Sequence, residues 1–470
     1  MIKKFIYSFF VFICINIIVL TYNVYKTFGK INIMKLDIIT FLQCNFSIIP
    51  FRFIILSLIV SFVFYVVIHK FRSVYSYYRI IFIFFIVVLL LVTVRLFITY
   101  KIFSYISNGV QTSDFYEKYY VDAKNVNIIS PKNKRNLILI FLESMEFSYA
   151  NKDFFPDNLI PELINLSNNN ISFKNFYNGY YQNNTQTAIV ATMTGLPSKN
   201  LFIGIKDSNS IGTNLKSYLK NSSSIRQILR NKGYTTLFLQ GSEKEFAGAD
   251  VFLEMHGFKD SIFDSFYLKQ TYNINNVPEW YVADKDVINV FKKKISQLKN
   301  KTPFFAVMVT ADTHMWWNGV KNPQIPDISK NFSNDKVNII RNSSILINDF
   351  VNWIRKQSFA KDTTIVLIGD HLRMDDGLFE NYSKERYIYN CFINSVYDDK
   401  KLNKDRTFWQ IDLFPTILQS IGFEIEGDKL GLGTSLFSDK KTLLESFGEK
   451  ELKLQLAKRN KLYDNLWKDK

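Results

Sequence analysis

Cysteine is nearly absent from this 470-residue chain: three occur, far apart, at Cys14, Cys44 and Cys391. That spacing excludes a disulfide framework and any C-x-x-C metal pattern. Histidine is equally sparse, at His69, His256, His314 and His371, so any histidine placed at a strand end is notable. An arginine-rich stripe and a recognised nucleic-acid motif are both missing, although the formal net charge is +16. The lysines are scattered among Asp, Glu and Asn. Such a distribution reads as solvation plus attraction to an anionic membrane surface, with no nucleic acid partner. No internal repeat is present, and the Asn-rich stretches Asn168–Asn170 and Asn183–Asn184 read as surface loops.

Long hydrophobic runs, by contrast, are plentiful at the start. Phe5–Leu20, Phe53–Ile68 and Ile80–Thr99 are almost wholly apolar, the last broken only by Arg95. Each approaches or reaches the roughly 20 residues that cross about 30 Å of hydrocarbon. Three membrane spans are therefore expected, at about 5–21, 53–69 and 79–99, making residues 1–100 a membrane anchor. A signal peptide is the competing reading of the first run, because Lys3 and Lys4 precede it, but no small-residue cleavage site follows. Basic residues set the orientation. Lys3, Lys4 and the cluster His69-Lys70-Phe71-Arg72 with Arg79 lie on the cytoplasmic side, which puts everything after about residue 100 outside. The expected location is the cytoplasmic (inner) membrane, multi-pass, with the remaining domain on the extracytoplasmic or periplasmic side.

Residues 101–135 read as a linker, because Tyr, Asp, Lys and Asn alternate there without a sustained apolar face. Beyond it lie two fragments more than two hundred residues apart: Asn136-Leu-Ile-Leu-Ile-Phe-Leu-Glu143-Ser144 and Thr364-Ile-Val-Leu-Ile-Gly-Asp370-His371. Short continuous runs rich in Ile and Val predict strands buried on both faces of a parallel sheet. Ligand sites in open α/β sheets collect beyond the carboxyl ends of such strands. Glu143, Asp370 and His371 are thus expected to meet at one rim and offer two carboxylates and an imidazole to a divalent metal. Strands are also predicted at Thr235–Leu239 and Phe304–Thr310, and helices at Ser223–Arg230, Asp284–Leu298 and Ile339–Gln357. The alternation predicts an α/β domain over 136–440, with a central, largely parallel sheet flanked by helices. Residues 441–470 read as a charged tail.

Between the metal-binding strands, Ala188–Met193 predicts a helix ended by Gly195 and Pro197, with polar residues as caps. Thr185 and Thr187 stand at its start. A hydroxyl there lies among unpaired N–H groups and the positive end of the dipole, where a phosphate is welcome. A threonine is a weak nucleophile at neutral pH, and a divalent cation can activate it. Read alone, both residues are simple caps. The run from Pro303 ends in Thr310-Ala-Asp312-Thr-His314-Met-Trp316-Trp317. His314 at that rim could move a proton or hold a phosphate oxygen, and Trp316 with Trp317 could line a sugar-facing or hydrophobic pocket. His256, which precedes a glycine, reads as a helix-end residue.

Together, Leu142-Glu143-Ser144, the Thr185 region, Leu239-Gln240-Gly241 through Phe246-Ala-Gly-Ala-Asp250, Thr313-His314 and Gly369-Asp370-His371 resemble the alkaline phosphatase/sulfatase superfamily. So do Gln410-Ile-Asp412-Leu-Phe-Pro415 and Gly431-Leu-Gly433. The most similar branch is that of lipoteichoic acid synthases and the phosphoglycerol transferases of periplasmic glucans. The resemblance implies an alkaline phosphatase-like fold in which Glu143, the threonine, Asp370 and His371 bind one metal. Manganese is implied by the lipoteichoic acid synthases, whereas the related phosphoethanolamine transferases use zinc; magnesium is a third option. Counting back from Pro197 favours Thr185 as nucleophile, with Thr187 as runner-up. Gln240, Asp250, Asp312, His314 and Trp316 are the implied substrate-binding positions. Neither Thr185 nor Cys391 lies in the C/S-x-P-x-R motif of sulfatases, which disfavours sulfate-ester hydrolysis. Ala247 and Ala249 stand where lipoteichoic acid synthases carry a Trp and a gripping Arg, which favours adding single groups over polymerisation. The implied activity moves glycerol phosphate from phosphatidylglycerol to an extracytoplasmic glycan or polymer. The alternatives are phosphoethanolamine transfer and a degenerate, non-enzymatic domain. With no other cysteine in the soluble domain, Cys391 cannot supply the disulfides usual in phosphoethanolamine transferases.

Overall fold

The computed structural model describes residues 111–199, 215–274, 281–298, 303–314, 321–325, 334–374, 378–379 and 382–468. The three expected spans lie outside these residues, as does most of the first part of the linker. Among the described residues no helix is long and apolar enough to cross a membrane.

Six strands form the main sheet: β1 (Asn136–Leu142), β2 (Thr235–Gln240), β3 (Ile262–Phe263), β4 (Phe304–Val309), β5 (Thr363–Gly369) and β6 (Asn390–Ile393). Their order is β3-β2-β4-β1-β5-β6. All neighbours are parallel except the edge pair β5–β6, which is antiparallel. Every residue of β1, β4 and β5 is buried, as strands covered on both faces require.

Side chains alternate across the sheet. Ile138, Ile140 and Leu142 join Ala306, Met308, Ile365 and Leu367 in one apolar cluster with helices α1 (Pro161–Asn168), α5 (Asp284–Leu298) and α6 (Asn334–Arg355). Helix α5 forms because Val287, Ile288, Phe291 and Ile295 repeat at helical spacing and bury one stripe. Phe291 meets Phe350 of α6 with ring centroids 5.7 Å apart. An ion pair between Glu162 and Arg341 ties α1 to α6.

Helix α2 (Thr185–Thr194) is buried almost all round and packs against α7 (Leu413–Ser420), which is wholly buried. Gly195 ends α2 at φ 67°, and a Cβ there would stand 2.8 Å from the Leu430 carbonyl oxygen. Glycine is required on both counts. Helices α3 (Ile225–Asn231) and α4 (Ala249–Met255) flank β2 in sequence.

Two segments carry more structure than their composition suggested. In the linker, Phe115 and Tyr116 are buried within a short helical turn. The charged tail contains α8 (Leu443–Ala457) and α9 (Lys461–Trp467), with Leu452, Leu456, Tyr463 and Trp467 buried. Leucines at helical spacing among the lysines supply the apolar stripe that a reading by charge overlooks. Tyr463 packs on Tyr116 at 4.9 Å and donates to the Pro197 carbonyl at 2.6 Å.

His256 caps the end of α4, as expected, fully buried beside the Phe252 ring at 4.3 Å. Burial pulls its pKa down from 6.5 to about 4. A histidine whose folded pKa is depressed takes up its proton more readily when unfolded. Its contribution is therefore complete above about pH 6.5 and is lost as the pH falls toward about 4. That is worth about 3 kcal/mol over the window. Urea unfolding between pH 7 and pH 4 is expected to show this slope in the wild type and a shallower one in His256→Gln; equal slopes would exclude His256 as its source.

Candidate metal and phosphoryl-transfer site

Register assembles the site. Leu142 pairs with Gly369 and Phe141 with Val309, so Glu143, Asp370 and Thr310 are the first residues beyond the ends of three adjoining strands. The backbone N–H of Thr310 still donates to Phe141, and that of Asp370 to Leu142. Gly369 permits the closest approach. A Cβ there would sit 2.0 Å from the Met145 carbonyl oxygen, so only glycine lets β5 run that near the turn after β1. Ser144 completes the turn with φ 49°, a strained conformation for a side-chain-bearing residue. Its N–H donates to Asp370 Oδ1 at 2.7 Å and its hydroxyl to Glu143 Oε1 at 2.6 Å.

Glu143, Asp370 and His371 are all buried, with one ligand atom from each lying within 4.8 Å of the others. His371 Nε2 is 3.5 Å from both Glu143 Oε1 and Asp370 Oδ2. Its Nδ1 meets the Leu372 carbonyl at 2.8 Å, which leaves Nε2 facing the carboxylates. Neither Nε2 nor Asp370 Oδ2 has a hydrogen-bond partner. Two orphaned buried polar atoms beside a second carboxylate are what an absent cation would leave. The residues fit a single divalent metal.

The electrostatics agree. Burial and the Glu143 charge push the Asp370 carboxyl up to about 7, against the pull of His371. Burial also works to raise Glu143, but His371, His314 and the hydroxyls of Ser144 and Thr185 outweigh it and hold it below its usual value. Burial works to lower His371, and the two carboxylates prevail and raise it.

Of the two threonines, only Thr185 reaches the site. It opens α2, and its hydroxyl donates to Glu143 Oε2 at 2.9 Å. Thr187 is fully buried in a capping box with Asn184, its Oγ1 3.0 Å from the Asn184 carbonyl oxygen. The loop after β4 brings in His314, close enough to Glu143 for their charges to interact. Burial lowers its pKa. Thr310 accepts from Glu143 N at 2.9 Å, and Thr313 donates to the Glu143 carbonyl.

Gln240 is buried, donating to the carbonyls of Ser242 at 3.2 Å and Glu243 at 3.0 Å; it braces the loop after β2. Asp250 lies in the first turn of α4, half-buried. Asp312 is buried with Oδ1 unpartnered, and burial raises its pKa to about 7. Trp316 lies outside the described residues.

Two residues that sequence reasoning passed over hold the rim together. Asp284, at the start of α5, accepts from the N–H of Ala311 at 2.7 Å and Asp312 at 3.2 Å. Buried Arg373 donates to the Thr313 carbonyl, while its own N–H donates to Glu146 Oε1 at 3.1 Å. It stands two residues after His371, and a cation so near the paired strand-end ligands was a usable signal. Cys391 is free and buried in β6.

The Sulfatase family profile matches residues 135–423, well over half of the chain. The chain belongs to the sulfatase family. Among its relatives, phosphoglycerol transferase I of Escherichia coli O127:H6 is 31% identical over 316 residues, covering 66% of this chain and 40% of the relative. The Shigella flexneri protein of the same name is 30% identical over 333 residues, covering 69% and 41%. This chain thus spans about two fifths of the length of these curated relatives. Two solved structures share the sulfatase-family fold. An alkaline phosphatase superfamily protein from Vibrio parahaemolyticus aligns with TM-score 0.53 at 22% identity, covering 69% of this chain and 76% of that one. The lipoteichoic acid synthase LtaP from Listeria monocytogenes aligns with TM-score 0.51 at 19% identity, covering 67% and 79%. The chain has an α/β, alkaline phosphatase-like architecture with a mostly parallel sheet.

Gly369→Ala tests the geometry of the site. The added methyl must displace either the Met145 carbonyl or the end of β5, at a cost of about 2 to 4 kcal/mol. Elemental analysis of purified protein is expected to give close to one metal per wild-type chain and much less in the variant. Full occupancy in Gly369→Ala would show that the close approach does not position Asp370.

Proposed function

We propose that this protein is a membrane-bound phosphoglycerol transferase. Glycerol phosphate passes from phosphatidylglycerol, through a covalent phosphothreonine at Thr185, to a hydroxyl of an extracytoplasmic glycan or polymer. The observation that carries the proposal is the Thr185 hydroxyl at 2.9 Å from Glu143 Oε2, beside Asp370 and His371 and at the start of α2. The relatives' name supports it.

Glu143, Asp370, His371 and Thr185 would hold one divalent cation. Three oxygen ligands with one imidazole suit manganese, with zinc or magnesium as alternatives. When bound, the cation supplies the positive charge that lets a threonine hydroxyl ionise near neutral pH. The Thr185 proton goes to water, and Oγ1 attacks phosphorus. An Oγ1–P bond forms as the bond to the diacylglycerol oxygen breaks, and that oxygen takes a proton from water. The N-terminal end of α2 favours the phosphate charge.

In the second step the acceptor hydroxyl gives its proton to His314 and attacks the same phosphorus. The Oγ1–P bond breaks, and Oγ1 takes the proton from His314 to restore the Thr185 hydroxyl. A pKa lowered by burial keeps His314 neutral and ready as that base. Asp312, whose Oδ1 lacks a partner, would accept from a substrate hydroxyl; Asp250 and Trp316 remain candidate substrate contacts. An anchor in the cytoplasmic membrane, with the domain on the extracytoplasmic side, suits a lipid donor whose diacylglycerol product stays in the bilayer.

The test incubates the full chain with phosphatidylglycerol and follows diacylglycerol release and the mass of the threonine peptide. Thr185→Ala is expected to lower release by about a thousandfold or more. Thr187→Val should cost about 1 kcal/mol of stability through the lost cap and leave most activity. The reverse pattern would make Thr187 the nucleophile. A phosphoethanolamine adduct from phosphatidylethanolamine, with none from phosphatidylglycerol, would replace the donor.

A further inference from the structure

A peptide group is planar, so holding both its oxygen and its N–H fixes its orientation. The peptide between Thr313 and His314 is held in this way. Its N–H donates to the Ala311 carbonyl at 3.1 Å, and its oxygen, the Thr313 carbonyl, accepts from Arg373 Nη1. The Thr313 hydroxyl adds a third tie, to the Glu143 carbonyl. His314 follows this peptide directly, so its direction relative to the metal ligands depends on where the guanidinium stands.

Arg373 is itself gripped on both sides of its backbone. It is only 4% exposed. Its N–H donates to Glu146 Oε1 at 3.1 Å, and its carbonyl accepts from Arg386 Nη2 at 2.8 Å. Arg386 forks onto the wholly buried Glu146, with Nε 2.7 Å from Oε2 and Nη2 bonded to Oε1, and lies over the Phe379 ring at 4.0 Å. Charge-assisted, two-pronged bonds of this kind are among the stronger ones available to a protein. Glu146 also bridges to the backbone of Ile388. Arg373 cannot shift without disturbing this pair.

The nucleophile and the carboxylates have supports of their own. Strand register, Thr310 and Ser144 hold Glu143 and Asp370, and α2 carries Thr185. Asp284 secures Ala311 and Asp312, whereas the next residues of the loop are tied through Thr313. We infer that Arg373, braced by Glu146 and Arg386, is a positioning residue that aims His314 for transfer to the acceptor hydroxyl and contributes little to forming the phosphothreonine. The inference rests on the proposed function for the role of His314.

Rapid quenching of the full chain in nanodiscs containing phosphatidylglycerol, with glycerol as the acceptor, separates the first diacylglycerol released per chain from later turnovers. Release of p-nitrophenol from bis(p-nitrophenyl) phosphate gives the same split without the lipid. Arg373→Met is expected to keep its metal and a first turnover within about twofold of wild type. Its later turnovers should slow about thirtyfold or more while the phosphothreonine peptide accumulates. Arg373→Lys keeps the buried charge but not the planar fork, and should show the same pattern at about tenfold. Because Arg373 acts through His314, adding Arg373→Met to His314→Gln should cost less than about twofold more. Wild-type later turnovers in both Arg373 variants, equal slowing of every turnover, or a loss that multiplies in full with that of His314→Gln would overturn the inference. Wild-type later turnovers in His314→Gln would sink the base and the inference together. A wild type that releases p-nitrophenol but no diacylglycerol would instead sink the phosphatidylglycerol reading, with the role of Arg373 decided on the aryl ester.

Discussion

Two buried carboxylates that repel each other organise this domain's chemistry. Glu143 and Asp370 stand one residue beyond paired positions on neighbouring parallel strands, so the backbone register forces them together. At an effective dielectric of about 20, like charges at such separations cost on the order of 3 to 4 kcal/mol. Hydrogen bonds from Ser144, Thr185 and the N–H groups of Ser144 and His371 offset part of this. His371 offsets more, and a divalent cation would reverse the sign. A protein that keeps such a pair dry is built around a positive charge.

Much of the surrounding structure follows from holding that pair. Gly369 lets the ends of β1 and β5 close up, and Ser144 accepts a strained backbone to turn its N–H toward Asp370. Thr310 and Thr313 fasten the loop after β4 to the Glu143 backbone. Asp284 and Arg373 then secure that loop from α5 and from the β5 rim. The same loop carries His314, so the proposed proton-moving group and the proposed metal ligands share one scaffold. The N-terminal end of α2 faces this scaffold through Thr185.

The central strands and long helices were legible because their signals are local. Six apolar residues in a row, Leu137–Leu142, cannot lie on a surface, and the stripe Val287, Ile288, Phe291, Ile295 has one sensible conformation. The meeting of Glu143, Asp370 and His371 was legible because they directly follow such strands. Other features were not local. Counting back from Pro197 favoured Thr185 over Thr187 on the sequence alone, but that Thr187 spends its hydroxyl on Asn184 showed only in the fold. The role of Gln240 as a brace depended on carbonyls in a loop. Asp284 lies on a helix remote in sequence from the loop it holds, and no periodicity marks it. The helices after residue 441 were hidden because their leucines are diluted by lysine and glutamate.

The claim that a cation resolves the Glu143–Asp370 repulsion is tested most directly by thermal unfolding of metal-stripped protein with and without added manganese. The wild type should gain several degrees on manganese addition. Asp370→Asn should be more stable than the wild type without metal, because the repulsion is gone, and should gain nothing when manganese is added. A metal-stripped wild type that does not respond to manganese, zinc or magnesium, together with a destabilised Asp370→Asn, would contradict it.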